Sequence, residues 1–94
     1  MRNRNRRKIN FDYNRIYYKP KGVPLSQLDE VELSQADMET IRLRYVENLS
    51  QIESAKKMGI SQSQYQRDLV NVLRKITNAL INGDAINIPA ENKL

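Results

Sequence analysis

Ser50-Gln51-Ile52-Glu53-Ser54-Ala55-Lys56-Lys57-Met58-Gly59-Ile60-Ser61-Gln62-Ser63-Gln64-Tyr65-Gln66-Arg67-Asp68-Leu69 is the stretch that decides the fold. It holds two helix starts. Ser50-Gln51-Ile52-Glu53 is a capping box, in which the Ser hydroxyl accepts from the backbone amide three residues on while Glu53 reaches back; Ser61-Gln62-Ser63-Gln64 repeats the pattern. Counting from Gln51, the fifth position is Ala55, where two crossing helices need a small side chain. The ninth is Gly59, where a sharp turn needs positive φ. Met58, Ile60 and Tyr65 at the eighth, tenth and fifteenth positions lock the second helix onto the first. Together these residues spell a helix-turn-helix over Gln51 to Leu69. An ordinary αα-hairpin has the same packing needs, so the outward face must separate the two readings.

With Tyr65 inward, the opposite arc of the second helix carries Ser63, Arg67, Asn71, Arg74 and Asn78, with Gln66 on one flank. Its first turn presents Gln62, Ser63 and Gln64, at the end by which a recognition helix enters the major groove. Gln can hold the N6 and N7 edge of adenine, and Arg the O6 and N7 edge of guanine. A solvated polar helix face carries similar residues.

Outward from this core, the second helix runs to about Ile81, with an inward stripe of Tyr65, Leu69, Val72, Leu73, Ile76 and Leu80 and a stop at Asn82-Gly83. Val70 and Ile81 fall off the stripe, to be covered by an N-terminal strand or by a second subunit. The helix from Ser50 turns Ile52, Ala55 and Met58 inward. A preceding helix is capped by Ser34 with Asp37, places Met38, Ile41, Tyr45 and Val46 along one face, and stops at Asn48. Leu25, Leu28, Val31 and Leu33 form an irregular apolar lead-in after the break at Lys19-Pro20-Lys21-Gly22-Val23-Pro24. Ile9 to Tyr18 alternates like a strand, and its aromatics Phe11, Tyr13, Tyr17 and Tyr18 are expected to close over the long helix. Ala85-Ile86-Asn87-Ile88-Pro89 is a second short strand, suited to pair with the first. Residues 1–8 read as a basic flexible arm, and 9–94 as a single domain.

Composition narrows the chemistry. Among 94 residues there is no Cys, His or Trp. That removes disulfides, thiol nucleophiles, imidazole bases and ordinary zinc sites. No carboxylate or Lys set converges, so no catalytic or metal-binding residues, no enzyme activity and no cofactor are expected. Apolar runs of two or three residues exclude a membrane span, and the cytoplasm is the expected location. The net charge of +5 is unevenly placed: residues 1–21 carry +7, residues 22–49 carry −4, residues 50–83 carry +3 and the tail carries −1. A basic start and a basic second half suit a polyanion touched from two places.

Three stretches extend the motif: Tyr17-Tyr18-Lys19-Pro20-Lys21-Gly22-Val23-Pro24-Leu25, Leu28-Asp29-Glu30-Val31-Glu32-Leu33-Ser34, and Leu80-Ile81-Asn82-Gly83-Asp84-Ala85-Ile86-Asn87-Ile88. With them the chain resembles, over about residues 13–88, an uncharacterised prokaryotic family of small DNA-binding proteins. The helical part is similar to the promoter-reading fourth region of sigma factors. The resemblance implies a sigma region-four-like fold and binding to duplex DNA. Ser61, Tyr65 and Arg67 match the family's Val-Ser-Arg-x-Thr-Phe-x-Arg stretch with Tyr for Phe, and Gln62 replaces its first Arg.

The sequence thus predicts a mainly α fold, a three-helix helix-turn-helix with a small β element from the N- and C-terminal segments, acting as a DNA-binding transcriptional regulator. Base reading falls to Gln62, Ser63, Gln66 and Arg67. Phosphate contacts fall to Lys56, Lys57, Asn71, Arg74 and Lys75, and to Arg2, Arg4, Arg6, Arg7 and Lys8 of the arm. Ala55 and Gly59 form the turn. Two other classes are compatible with the sequence: a protein-interaction module whose acidic residues 29–47 dock a transcription partner such as RNA polymerase, and an RNA-binding protein that stacks bases on Phe11, Tyr13, Tyr17 and Tyr18.

Overall fold

The computed structural model describes residues 15–90. The chain is mainly helical, with a small three-stranded sheet. In order it forms β1 (Ile16–Tyr18), a single 3-10 turn (Leu25–Gln27), β2 (Glu30–Glu32), α1 (Gln35–Ile41) continued by a π-helical turn (Arg42–Val46), α2 (Gln51–Met58), α3 (Gln62–Asn82) and β3 (Ala85–Ile88).

β3 is the central strand. It pairs with β1, as the sequence suggests, and the structure shows the pairing to be antiparallel with Ile16 opposite Ile88 and Tyr18 opposite Ile86. It also pairs in parallel with β2, Val31 opposite Ile86. That second pairing corrects the expectation of an irregular lead-in over Leu25–Leu33. Two backbone bonds prolong it, from Ala85 N to the Asp29 carbonyl and from Leu33 N to the Asn87 carbonyl, both 2.9 Å. Covered on both edges, β3 buries all four residues, Asn87 included. The buried amide is satisfied: Asn87 Oδ1 accepts from Arg15 and Nδ2 donates to Glu30. β1 is an edge strand, and Tyr17 and Tyr18 are exposed, against the expectation that they close over the long helix. Phe11 and Tyr13 lie outside the described residues.

The core has two parts along α3. Toward its C-terminal end, Leu33, Ala79, Ile86 and Ile88 pack with Val31, Met38 and Ile76, fastening the helix to the sheet. Toward its N-terminal end, Ala55, Tyr65 and Leu69 pack with Ile41, Met58 and Ile60, fastening it to α1 and α2. The inward stripe therefore ends on Ala79, which packs with Leu33, Ile86 and Ile88, and not on Leu80, which is 70% exposed; Leu73, also expected inward, is turned out as well, since Val72 and Ile76 take the inner positions there. Ile52 is likewise turned out while Ser54 is buried.

α1 departs from its expected face for a definite reason. At Arg42 the helix widens to i→i+5 bonding, with Glu47 N donating to the Arg42 carbonyl at 3.0 Å. The wider turn rotates the side chains along it, so Leu43 is buried while Tyr45 and Val46 face outward. Arg42 spans the turn, bonded to Glu39 at 2.8 Å and Glu47 at 2.9 Å. Asn48 ends it in the left-handed region, φ 60, the stop expected from its side chain.

Candidate nucleic-acid interface

The α2–α3 junction is built by its caps. Ser50 and Glu53 form the full capping box of α2. Its other end closes on Gly59 at φ 72 and ψ 29, where Gly59 N donates to the Lys56 carbonyl and Ile60 N to that of Ala55. This is the Schellman arrangement, and it needs a residue without a Cβ penalty at positive φ. Ala55 is 3% exposed, as a helix crossing requires. Ser61 then caps α3 by accepting from Gln64 N at 3.1 Å. The second capping box is only half made, because the Gln64 side chain turns forward. Its Nε2 donates to Asp68 and its Oε1 accepts from Arg67.

This junction exposes Gln62, Ser63, Gln66 and Arg67 on the first two turns of α3. Lys56 and Lys57 are exposed on the last turn of α2, just before the turn that leads into α3. Asn71, Arg74 and Lys75 are brought together farther along α3. They line a cleft of about 620 Å³ with Asp37, Thr40, Asp68 and Asn78. The cleft carries both signs of charge. Lys75 Nζ is bonded to Asp37 Oδ2 at 2.8 Å, so that ammonium is already engaged by α1. Burial works against ionisation of Asp37, but Lys75 together with the amide and hydroxyl of Ser34 outweighs it and holds the carboxyl below its usual range. Arg2, Arg4, Arg6, Arg7 and Lys8 lie outside the described residues. Lys19, left without a role by the sequence, folds back to donate to the Val23 carbonyl at 2.7 Å.

One contact escaped the sequence reading. Tyr65, fully buried, donates its hydroxyl to the Thr40 carbonyl at 2.6 Å and ties α3 to α1. Tyr standing where the resembled family has Phe was its only signal. No group of His, Cys, Asp and Glu suited to a metal ion occurs among the described residues. Nor is any helix among them long and apolar enough to cross a membrane.

The family described as "Protein of unknown function DUF134" matches residues 1–92. The chain belongs to this family. A UPF0251 protein of Pelotomaculum thermopropionicum is 42% identical to this DUF134 chain over 76 residues, 81% of the chain and 58% of that relative. One from Methanosarcina acetivorans is 42% identical over 88 residues, 94% of the chain and 54% of the relative. UPF0251 protein TTE1845 of Caldanaerobacter subterraneus is 42% identical over 79 residues, 84% of the chain and 67% of the relative. The family thus occurs in bacteria and archaea. The chain spans a little over half the length of the first two relatives. No solved structure matches it.

Proposed function

We propose that this DUF134 protein binds duplex DNA and regulates transcription, using α2 and α3 as a helix-turn-helix of the sigma region-four kind. The observation that carries the reading is the tight Gly59 turn. It leaves the first turns of α3 free with Gln62, Ser63, Gln66 and Arg67 exposed, and sets Lys56 and Lys57 at its approach. A groove needs that combination: side chains that hydrogen-bond base edges at a helix N-terminus, and cations beside them for phosphate. Arg67 gives up only an exposed bond to Gln64 when it reaches a guanine. Arg74 and Asn71 extend the phosphate track along α3, and the basic residues 1–8 add charge to it.

The competing readings gain less. Of the six carboxylates in residues 29–47, Asp37, Glu39 and Glu47 are committed to ion pairs within the chain, which weakens an acidic docking face. Tyr17 and Tyr18 are exposed, yet as neighbours on one strand they point to opposite sides and cannot form one stacking platform for RNA. Selection of bound sequences from random duplex DNA, run beside a single-stranded RNA control, tests the proposal. Enrichment of a duplex motif supports it, and equal or better retention of the RNA overturns it.

A further inference from the structure

One flank of α3 is neither core nor basic face. From Val70 onward, at about 100° per residue, Val70, Leu73, Thr77, Leu80 and Ile81 share an arc roughly a quarter of a turn wide, bordering the buried stripe. None of them is charged. The four charged residues of α3, Arg67, Asp68, Arg74 and Lys75, all lie outside that arc. A flank that merely faced water would share in the charge of a chain that is 29% Asp, Glu, Lys and Arg. Instead its aliphatics stand 39% (Val70), 36% (Leu73), 70% (Leu80) and 79% (Ile81) exposed. Val70, Leu73, Thr77 and Leu80 are spaced by three, four and three residues, the step at which one helix interlocks with another.

The strip continues onto neighbouring elements. Leu73 shares an apolar groove of about 430 Å³ with Tyr45 and Val46, which the π-helical turn has swung outward. Leu80 shares a hollow with Tyr18 and Pro20.

We infer that this strip is the contact by which two copies of the chain pair through α3. A second copy meets both demands of the surface: it brings the same uncharged strip and the same three-four spacing, so the contact is isologous and closes on itself. The area suits a weak, reversible pair. The four aliphatics leave on the order of 400 Å² of apolar surface, the size of the largest patch on a typical monomer, which is often a functional one. Two copies meeting there, with Thr77 within the strip and Tyr18 at the rim, bury on the order of 1,000 Å² in total, the size of a weak or transient interface. The pairing is therefore weak and set by protein concentration. The charged residues of α3 stay outside it, and its basis is independent of the proposed DNA binding.

Sedimentation equilibrium of the full chain across micromolar concentrations provides the test. The chain weighs 11.0 kDa, and the expected result is a reversible rise to twice that mass, with a melting temperature that climbs with concentration. Leu80→Lys and Ile81→Lys, both at well-exposed positions, should each weaken the pairing about a hundredfold by removing apolar contact and adding like charge across the dyad. Arg67→Ala should leave it unchanged. A wild type that stays monomeric overturns the inference. In that case, a melting temperature lowered by Leu80→Lys means that another part of the same chain covers the strip, and an unchanged one leaves the strip to a different protein. A dimer that survives both Lys substitutions overturns the inference as well.

Discussion

The hydroxyl of Tyr65 on α3 donates to the backbone carbonyl of Thr40 on α1 at 2.6 Å, with the Tyr side chain fully buried. The acceptor lies two residues before the helix widens into its π turn at Arg42. One hydrogen bond therefore joins the proposed DNA-facing helix to the element whose register decides which residues of 42–46 are core. Tyr65→Phe keeps the ring but leaves a buried acceptor without this donor. That should cost about 1–2 kcal/mol, lowering the melting temperature by about 4–8 °C for each kcal/mol in a domain of this size. Thermal unfolding followed by circular dichroism checks it, and an unchanged melt would mean that the bond adds nothing.

The Asp37–Lys75 pair makes a pH-dependent contribution with a definite sign. The folded-state carboxyl of Asp37 titrates below its unfolded value, despite the opposing effect of its burial. Stability from the pair is thus fully present above about pH 4, the unfolded carboxylate value, and is lost as pH falls through the lower folded value. Asp37→Asn should lower the melting temperature at neutral pH. The gap to wild type should narrow as the pH drops below 4. A gap that stays constant down to acid pH would sink the assignment.

Gly59 holds φ 72, and a Cβ built there meets nothing within 4 Å. Crowding is therefore not the obstacle to substitution; backbone strain is. Gly59→Val should cost about 1–3 kcal/mol, whereas Arg67→Ala, at an exposed position, should melt like wild type. Equal melting of both variants would show that the turn tolerates a β-branched residue.

How legible the fold was depended on whether a residue's role was local. The caps at Ser34, Ser50 and Ser61 and the stops at Asn48, Gly59 and Gly83 follow from short-range chemistry, and the structure has them; that the two terminal strands pair was suggested by their β-favouring residues, but the antiparallel direction and the register were not. β2 was hidden because Glu30-Val31-Glu32 is too short and too charged to announce a strand; only its partner β3, more than fifty residues later, makes it one. The outward swing of Tyr45 and Val46 was hidden because a strict 3.6-residue period cannot foresee a π turn. Leu73 and Leu80 were assigned inward by the same period, while the packing of Ala79 against Leu33, Ile86 and Ile88 is a tertiary fact. In the candidate interface, the exposure of Gln62, Ser63, Gln66 and Arg67 was readable from helical phase. The engagement of Lys75 by Asp37 was not, since it joins residues on different helices.

Binding to duplex DNA should depend steeply on salt. Six neutralised phosphates give a slope of log K against log salt of about −5, at roughly −0.9 per phosphate. Lys56→Ala and Lys57→Ala should each flatten that slope by about 0.9 if the ammonium contacts phosphate. Lys75→Ala should flatten it less, since Asp37 competes for that ammonium at 2.8 Å. A titration with a flat salt response would remove the electrostatic model altogether.

Affinity and preference should separate by position. Removing residues 1–8 deletes Arg2, Arg4, Arg6, Arg7 and Lys8, and should weaken binding to all duplexes alike, flattening the salt slope by up to about 4 units. Gln66→Ala and Arg67→Ala should instead change which duplex is preferred, because only groups at base edges in the major groove distinguish the four base pairs. Each lost bidentate contact should cost about 1–3 kcal/mol on the selected site and much less on scrambled sequence. Both positions are exposed and outside the two core clusters, so the loss is not expected to come from unfolding. Competition between selected and scrambled duplexes distinguishes the two effects. If the α3 variants keep the full preference while the shortened chain loses it, sequence is read by the N-terminal residues, and α3 serves only to hold the backbone.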